Sequence, residues 1–92
     1  MSTLERTVTI GNSKGLHVRA ATMLAREAGR FHAEVTLEHR GVQANGKSVM
    51  NLLLLTAAKG AEVRVRVIGE DAVEALAAVV GVIEGGFGEN HP

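Results

Sequence analysis

The segment "KGLHVRAATM", residues 14–23, holds the side chains of this sequence that are best suited to chemistry. His17 stands at the predicted start of a helix, Arg19 follows it, and Gly11 and Gly15 precede it. Glycines let backbone approach a ligand closely, and the first amides of a helix lack internal acceptors and attract anions. This setting predicts a neutral, nucleophilic ring near pH 7. A phosphoryl group on His17 would be held by the helix amides and Arg19.

A histidine beside a helix cap without a chemical role is the alternative, and the local pattern leaves it open. No second acid or base is expected beside the ring. His32 and His39 are seven residues apart, so a regular strand would point them to opposite faces, and both are expected to face solvent as strand residues. His91 lies in the C-terminal tail. Since no His-x-His or His-Glu-x-x-His spacing and no P-loop occur, we expect no metal ion and no cofactor.

The composition predicts one domain over residues 1–92 with an aliphatic core. Hydrophobic residues make up 46%, cysteine is absent, and Phe31 and Phe87 are the only aromatic residues. The sequence has neither a signal segment nor an apolar run long enough to cross a bilayer, so we expect a soluble cytoplasmic protein. A formal net charge of zero argues against a nucleic-acid binder. The N-terminal half carries most of the Lys and Arg and is the side that would attract an anion.

Hydrophobic periodicity predicts seven elements in the order βαββαβα. Strands are expected at 7–10, 33–38, 42–44 and 62–67, and helices at 18–28, 48–55 and 71–83. Arg40-Gly41 and Asn45-Gly46 could each reverse the chain. We favour a turn at Arg40-Gly41, because a helix is predicted to begin soon after Lys47. Asp71 with Glu74 resembles a capping box, and Gly81 inside the last helix suggests close packing there. The fold class is α+β: an open-faced sandwich of a four-stranded antiparallel sheet with three helices on one face.

The stretch "GLHVRAA" resembles the Gly-Leu-His-Ala-Arg-Pro-Ala active-site motif of the HPr family, the histidine-containing phosphocarrier proteins of the bacterial sugar phosphotransferase system. The likeness continues through "NGKSVMNLLLL", which is similar to the family's regulatory-serine segment. It extends through "AAKGAEVRVRVIGEDAVEAL" into the tail "GFGE". The resemblance therefore covers residues 5–89, which we take as the core of the domain.

The resemblance implies a phosphoryl carrier rather than an enzyme. His17 would accept phosphate from Enzyme I in the phosphoenolpyruvate-dependent chain and pass it to an A-type acceptor domain, while Arg19 would steady the phosphoryl group. Ser48 would be the position that an HPr kinase modifies in some members. Three residues would belong to the partner-docking patch: Val49, Met50 and Leu53. The protein is expected to act as a monomer, without nucleic acid or membrane insertion.

Several positions keep other interpretations open. Ser48 also suits a helix N-cap, and the leucines at 52–55 suit a core, although four successive leucines cannot all be buried. Ala20 replaces the family's proline, and Val18 replaces a small alanine and could crowd the histidine ring. Asn51 and Thr56 stand where some members have glycine, which bears on the identity of the docking partner.

Two other functions remain to be compared with the phosphocarrier. One is an HPr-like regulatory protein that acts by protein-protein contact and no longer carries phosphate, against which the retention of His17 and Arg19 argues. The other is a small ligand-binding regulatory domain, for which the sequence offers no matching pocket. The sequence does not distinguish a sugar-uptake pathway from a nitrogen-type pathway.

Overall fold

Four strands and three helices follow one another in the order βαββαβα in the computed structural model, which describes residues 2–89. The elements are β1 (Ser2–Thr9), α1 (Val18–Ala28), β2 (Glu34–His39), β3 (Val42–Asn45), α2 (Val49–Leu53), β4 (Glu62–Gly69) and α3 (Ala72–Glu84). A short 3-10 helix, Gly86–Gly88, follows α3 and was not predicted. The α+β fold class and the order of the elements are confirmed. No helix within residues 2–89 is long and apolar enough to cross a membrane.

The four strands form one antiparallel sheet in the order β1-β4-β2-β3. Alternate residues of β2 and β4 are buried on one face of the sheet, including Leu37 of β2 and Val65 of β4, and Val8 of β1 and Ala44 of β3 are also buried. The three helices cover this face. The opposite face carries charged side chains that pair across strands, such as Arg64 with Glu38 at 3.6 Å. One wet and one covered face is the pattern that the alternation in the sequence predicted.

Small residues bring α1 close to the rest of the core. Its buried side is Ala20, Ala21, Leu24, Ala25 and Ala28, and it packs against both α2 and α3. Beyond α3, Phe87 of the 3-10 helix is fully buried although its φ is +57°. A side chain of this size anchors the chain segment that follows it. The N-terminus of α1 and the segment after Phe87 are therefore both fixed to the same core.

Two elements, the first strand and the second helix, depart most from their predicted bounds. β1 begins at Ser2 rather than residue 7, because its polar N-terminal half pairs with β4 as far as Ser2 opposite Gly69. The second helix, predicted at 48–55, is only Val49–Leu53, and the chain turns at Leu54 and Leu55. Strand pairing supplied order that the local pattern of residues 2–6 does not encode.

The two candidate turns have different roles. Arg40 and Gly41 have φ values of +52° and +81° and connect β2 to β3, so the preferred hairpin turn is confirmed. Gly46 is instead a site of close approach, because a Cβ atom there would lie 2.5 Å from Cγ1 of Val35. Glycine is needed at both turns, but only the first reverses the chain between strands.

Two expectations for α3 are wrong. Gly81 is exposed, and no atom lies within 4 Å of the position of an added Cβ, so close packing does not explain this glycine. The Asp71 carboxylate does not cap its own helix. It accepts hydrogen bonds from the backbone amides of His32 and Ala33, both at 2.8 Å, and so ties the start of α3 to the residues before β2. These amides, that of His32 first, lower the pKa of Asp71.

Candidate functional site

The loop between β1 and α1 is held by backbone hydrogen bonds to the segment that precedes β4. The amide of Leu16 donates to the carbonyl of Ala57 at 2.9 Å, and the amide of Gly60 donates to the carbonyl of Ile10 at 2.7 Å. Gly15 has a φ of +65°, and a Cβ atom there would lie only 2.7 Å from the Ala57 oxygen. Only glycine fits this conformation and this contact. The loop therefore presents His17 from a fixed backbone.

His17 occupies the N-cap position of α1. Its backbone is extended and its carbonyl accepts the amide of Ala21 at 2.8 Å, but its ring does not cap the helix. The amides of Val18, Arg19 and Ala20 have no acceptor within residues 2–89. These free amides and the helix dipole make the N-terminus of α1 suited to an anion.

Arg19 and Val18 lie on the exposed side of the first turn of α1. The Arg19 side chain is exposed and has no hydrogen bond or ion pair to any part of the chain that the structure describes. It is therefore available for a ligand. Val18 is 62% exposed, so most of its side chain faces solvent, whereas Ala20, which replaces the family's proline, is fully buried.

The His17 ring is half-buried and has an acceptor near each nitrogen. Its side chain is 29% exposed. Nδ1 lies 3.1 Å from the Gly15 carbonyl oxygen with the alignment of a hydrogen bond. Nε2 lies 3.1 Å from Oε2 of Glu89, a distance typical of an ion pair, although Oε2 is not aligned as a hydrogen-bond acceptor. The expectation that no second titratable group lies beside His17 is therefore wrong, because the segment after Phe87 places Glu89 there.

Asn12 connects the loop to this carboxylate. Its side chain is fully buried, and its Nδ2 donates to the Gly15 carbonyl at 2.8 Å and to Oε1 of Glu89 at 3.1 Å. The Glu89 side chain is only 9% exposed. Asn12 and Glu89 were both missed as site residues. Nothing local in the sequence distinguishes Asn12, which follows the first strand, and Glu89 lies in the matched tail "GFGE", for which the resemblance gives no role.

Ser48 and the predicted docking residues lie on and around α2, which packs against α1. The Ser48 hydroxyl accepts the amide of Asn51 at 3.2 Å, so Ser48 is the N-cap of α2. Met50 is 78% exposed, and Val49 and Leu53 are half-buried. Of the remaining leucines, Leu54 is 66% exposed while Leu52 and Leu55 are buried. The expected exposed leucine is present, but it is Leu54, which the predicted docking patch did not include.

The departures from the family pattern near α2 have a structural consequence at Thr56. This residue has a φ of +46°, a conformation that a β-branched residue rarely adopts. Its hydroxyl donates to the Leu55 carbonyl at 2.8 Å. Glycine, which some family members have here, would adopt the same conformation without strain. Asn51 is exposed and its side chain accepts the amide of Asn45 at 3.4 Å.

The other histidines do not form a site with His17. His32 is exposed but precedes β2, so its assignment to a strand is wrong, and His39 is a half-buried residue at the end of β2. The Nδ1 atom of His39 lies 3.1 Å from the Glu62 carbonyl oxygen. His91 lies outside the described residues. Within residues 2–89, no three His, Asp or Glu side chains are grouped so that they could hold a metal ion.

Comparisons with known proteins agree on one family. A family model described as "PTS HPr component phosphorylation site" matches residues 4–85. The chain is 38% identical over 87 residues to "Phosphocarrier protein HPr" of Xylella fastidiosa, which covers 95% of this chain and 98% of that relative. It is 42% identical over 89 residues to "Phosphocarrier protein NPr" of Shewanella violacea, covering 97% and 98%. A crystal structure of HPr-C-His from Thermoanaerobacter tengcongensis matches with a TM-score of 0.91 and 34% identity, covering 96% and 99%.

Proposed function

Since the chain belongs to the HPr family of phosphocarrier proteins, we propose that it carries a phosphoryl group of the phosphotransferase system on the His17 ring. The observation that carries this proposal is the arrangement at the start of α1. The imidazole, whose side chain is 29% exposed, belongs to the N-cap residue of α1, and it is followed by three backbone amides without acceptors in residues 2–89 and by the exposed Arg19. Backbone amides at a helix N-terminus and a guanidinium are the groups that bind phosphate in proteins.

The chemical step needs one nucleophilic ring nitrogen. The nitrogen lone pair forms a bond to the phosphorus of the phosphohistidine of Enzyme I, while the donor N–P bond breaks and its electron pair returns to the donor imidazole. The charge on the phosphoryl oxygens is met by the amides of α1 and by Arg19. The reverse sequence of events then passes the group to an A-type acceptor domain. His17 serves both transfers, and the partners supply the rest of the catalytic machinery.

Partners would dock on the apolar surface beside the start of α1. We assign this role to the predicted patch of Val49, Met50 and Leu53, and add Leu54. Met50 and Leu54 are the most exposed large apolar side chains of this region, and exposed apolar clusters are typical of interaction sites. Both Enzyme I and the acceptor domains must reach the same ring, so we propose that they share this surface.

Ser48 would be a regulatory position at the edge of the same surface. An HPr kinase would add about −2 charges in a phosphate on Ser48. The N-terminus of α2 tolerates a negative charge, so the phosphate would leave the fold intact. Next to the apolar docking surface, however, it would weaken the binding of partners that bury that surface.

The oligomeric state, the cellular location and the acceptor domain complete the proposal. The hydrophobic core is buried within a single chain, which supports a monomer, and sedimentation equilibrium measures this directly. We place the protein in the cytoplasm, where phosphoenolpyruvate and Enzyme I would reach it. The acceptor domain that takes the phosphoryl group decides between sugar uptake and a nitrogen-type pathway.

The test is phosphorylation with phosphoenolpyruvate and Enzyme I. Intact mass should show one phosphoryl group per chain, and the bond should survive alkali and break in mild acid, as a phosphoramidate does. His17→Ala should accept no phosphate, while the matched control His32→Ala, which alters another histidine, should be labelled fully. Addition of one sugar-type and one nitrogen-type A domain then shows which acceptor removes the label. Label that persists in His17→Ala, or that resists acid, would refute the proposal.

A further inference from the structure

An open cleft lies between the β2–β3 turn and the segment that joins α2 to β4. Its volume is about 350 Å³, which is within the range of small-molecule sites. Two cations, Arg40 of the turn and Lys59 of the connecting segment, line it together with His39, Thr56 and Gly60. No Asp or Glu of residues 2–89 lines it. We call it the basic cleft, and its charge suits an anion.

Neither cation of the basic cleft is neutralised by the described part of the chain. Arg40 and Lys59 are exposed, and neither side chain has a hydrogen bond or an ion pair within residues 2–89. Arg40 also borders a groove that contains Glu38 and Glu62, but Glu38 pairs with Arg64 at 3.6 Å instead. Like charges that converge without a counter-ion repel each other. An anion bound between these two side chains removes that repulsion and gains charge-assisted hydrogen bonds.

The imidazole and the backbone of the basic cleft offer further polar groups. Nδ1 of His39 lies 3.1 Å from the Glu62 carbonyl oxygen, and when Nδ1 donates to that oxygen, Nε2 is left as an acceptor for a hydroxyl group. The amides of Ala58 and Lys59 have no acceptor within residues 2–89. Thr56 has a φ of +46°, and strained non-glycine backbone is concentrated at active sites and ligand sites. A phosphate ester with a hydroxyl group matches this set of donors and acceptors.

The segment that forms one wall of the basic cleft also supports the loop that presents His17. The amide of Leu16 donates to the Ala57 carbonyl at 2.9 Å, and the amide of Gly60 donates to the Ile10 carbonyl at 2.7 Å. A ligand that contacts this wall binds only while the segment keeps its folded position. Such a ligand makes opening of the segment rarer by mass action.

We propose that the basic cleft binds a small phosphate ester that bears a hydroxyl group, through Arg40 and Lys59, and that the bound ligand holds the His17 loop in place. The cleft is separate from the open amides of α1, because its residues belong to the β2–β3 turn and to the segment before β4. Binding is non-covalent and does not require phosphotransfer, so its test is independent of the proposed function.

An NMR titration of the unphosphorylated protein with glycerol 3-phosphate measures binding residue by residue, and inorganic phosphate is the second probe. The amide shifts of Ala58, Lys59 and Gly60 should move and saturate, with a Kd on the order of millimolar. Glycerol 3-phosphate should bind more tightly than inorganic phosphate, because only it brings alcohol groups to the cleft. Equal affinities would identify free phosphate as the ligand and overturn the assignment to an ester. Shifts confined to Val18 and Arg19 would place the anion at the start of α1 and overturn the proposal.

Variants of the two cations test which side chains hold the ligand. Arg40→Gln and Lys59→Gln should each weaken the binding of glycerol 3-phosphate by about two- to fivefold, the range for an exposed charge pair. Arg26→Gln is the matched control, because Arg26 is an exposed cation at the other end of α1, and it should leave the Kd unchanged. Equal weakening in all three variants would show that only the net charge matters and would overturn the site.

Amide hydrogen exchange tests the connection to the His17 loop. At a ligand concentration about ten times the Kd, exchange of the Leu16 and Gly60 amides should slow by about tenfold. The amide of Ala33, which bonds to Asp71 at the opposite end of β2, is the internal control and should exchange at the same rate as without ligand. Unchanged exchange of Leu16 and Gly60 at saturation would overturn the effect on the loop.

Discussion

The N-termini of α1 and α2 each follow a loop that leaves a strand, but their first amides have different surroundings. At α2, the Ser48 hydroxyl accepts the amide of Asn51, so a side chain of the loop satisfies one of the first amides. At α1, His17 stands at the N-cap without capping, and the first three amides have no acceptor in residues 2–89. A helix whose amides are satisfied by its own cap gains stability. A helix whose amides stay open forgoes that gain and keeps a place for an anion.

The surroundings of the two N-termini extend this difference. Oε2 of Glu89, whose side chain is 9% exposed, lies 3.1 Å from Nε2 of His17, and the exposed Arg19 lies two residues after His17 in the first turn of α1. Ser48 instead lies two residues before the exposed Met50 of the apolar surface. We infer that the start of α1 performs the transfer, while the start of α2 serves stability and partner binding.

Among the variants that test this contrast between the two N-termini, Arg19→Ala should have the largest effect on phosphoryl transfer. Arg19→Ala removes a charge-assisted donor worth about 1.5–3 kcal/mol to a phosphoryl group, so acceptance from Enzyme I should slow by about ten- to a hundredfold. Thermal stability should change by no more than about 0.5 kcal/mol, because the side chain is exposed. Arg26→Ala, at the other end of the same helix, should leave both rate and stability unchanged. An equal loss of rate in both variants would show that only general charge matters.

A smaller effect is expected at α2. Ser48→Asp should fold with nearly unchanged stability, since aspartate caps about as well as serine. Its charge beside the apolar surface should raise the KM for Enzyme I by about tenfold. Ser48→Ala should do the opposite: it loses the cap, about 1 kcal/mol of stability, and keeps the KM. If Ser48→Asp accepts phosphate at the unmodified rate, Ser48 is a cap and nothing more.

The N-terminus of α3 provides a third case, in which the charge is used for stability alone. Hydrogen bonds from the amides of His32 and Ala33 lower the pKa of Asp71 in the folded protein. A folded-state pKa below the unfolded value stabilises the fold above the unfolded pKa of about 3.9, and this stability is lost as pH falls through the folded pKa.

Asp71→Asn tests this dependence by denaturant unfolding at several pH values. The variant should be less stable than wild type near neutral pH, and the difference should shrink below about pH 4. Glu74→Gln, an exposed carboxylate in the first turn of the same helix, is the control and should show no such trend. A difference that stays constant with pH would mean that the charge of Asp71 contributes nothing.

How much could be predicted from the sequence depends on whether the information is local. The pattern around His17 and Arg19 is contained within one turn of helix, and the alternation of valine with charged residues in β4 lies within a single strand. Both are local, so both were predicted. Asn12 and Glu89 are 77 positions apart, and they meet only because Phe87 anchors the chain after α3. The length of β1 likewise depends on its pairing with β4. The Asp71 carboxylate accepts hydrogen bonds from amides before β2, which are distant in sequence, instead of from its own helix.

Localising the phosphoryl group on the intact protein tests the central claim most directly. After phosphorylation by Enzyme I with phosphoenolpyruvate, fragmentation mass spectrometry under non-acidic conditions should place a single phosphoryl group on His17, at the open N-terminus of α1. Ser48, His32 and His39 should carry none. A phosphoryl group on Ser48 or on another histidine, with His17 unmodified, would contradict the account.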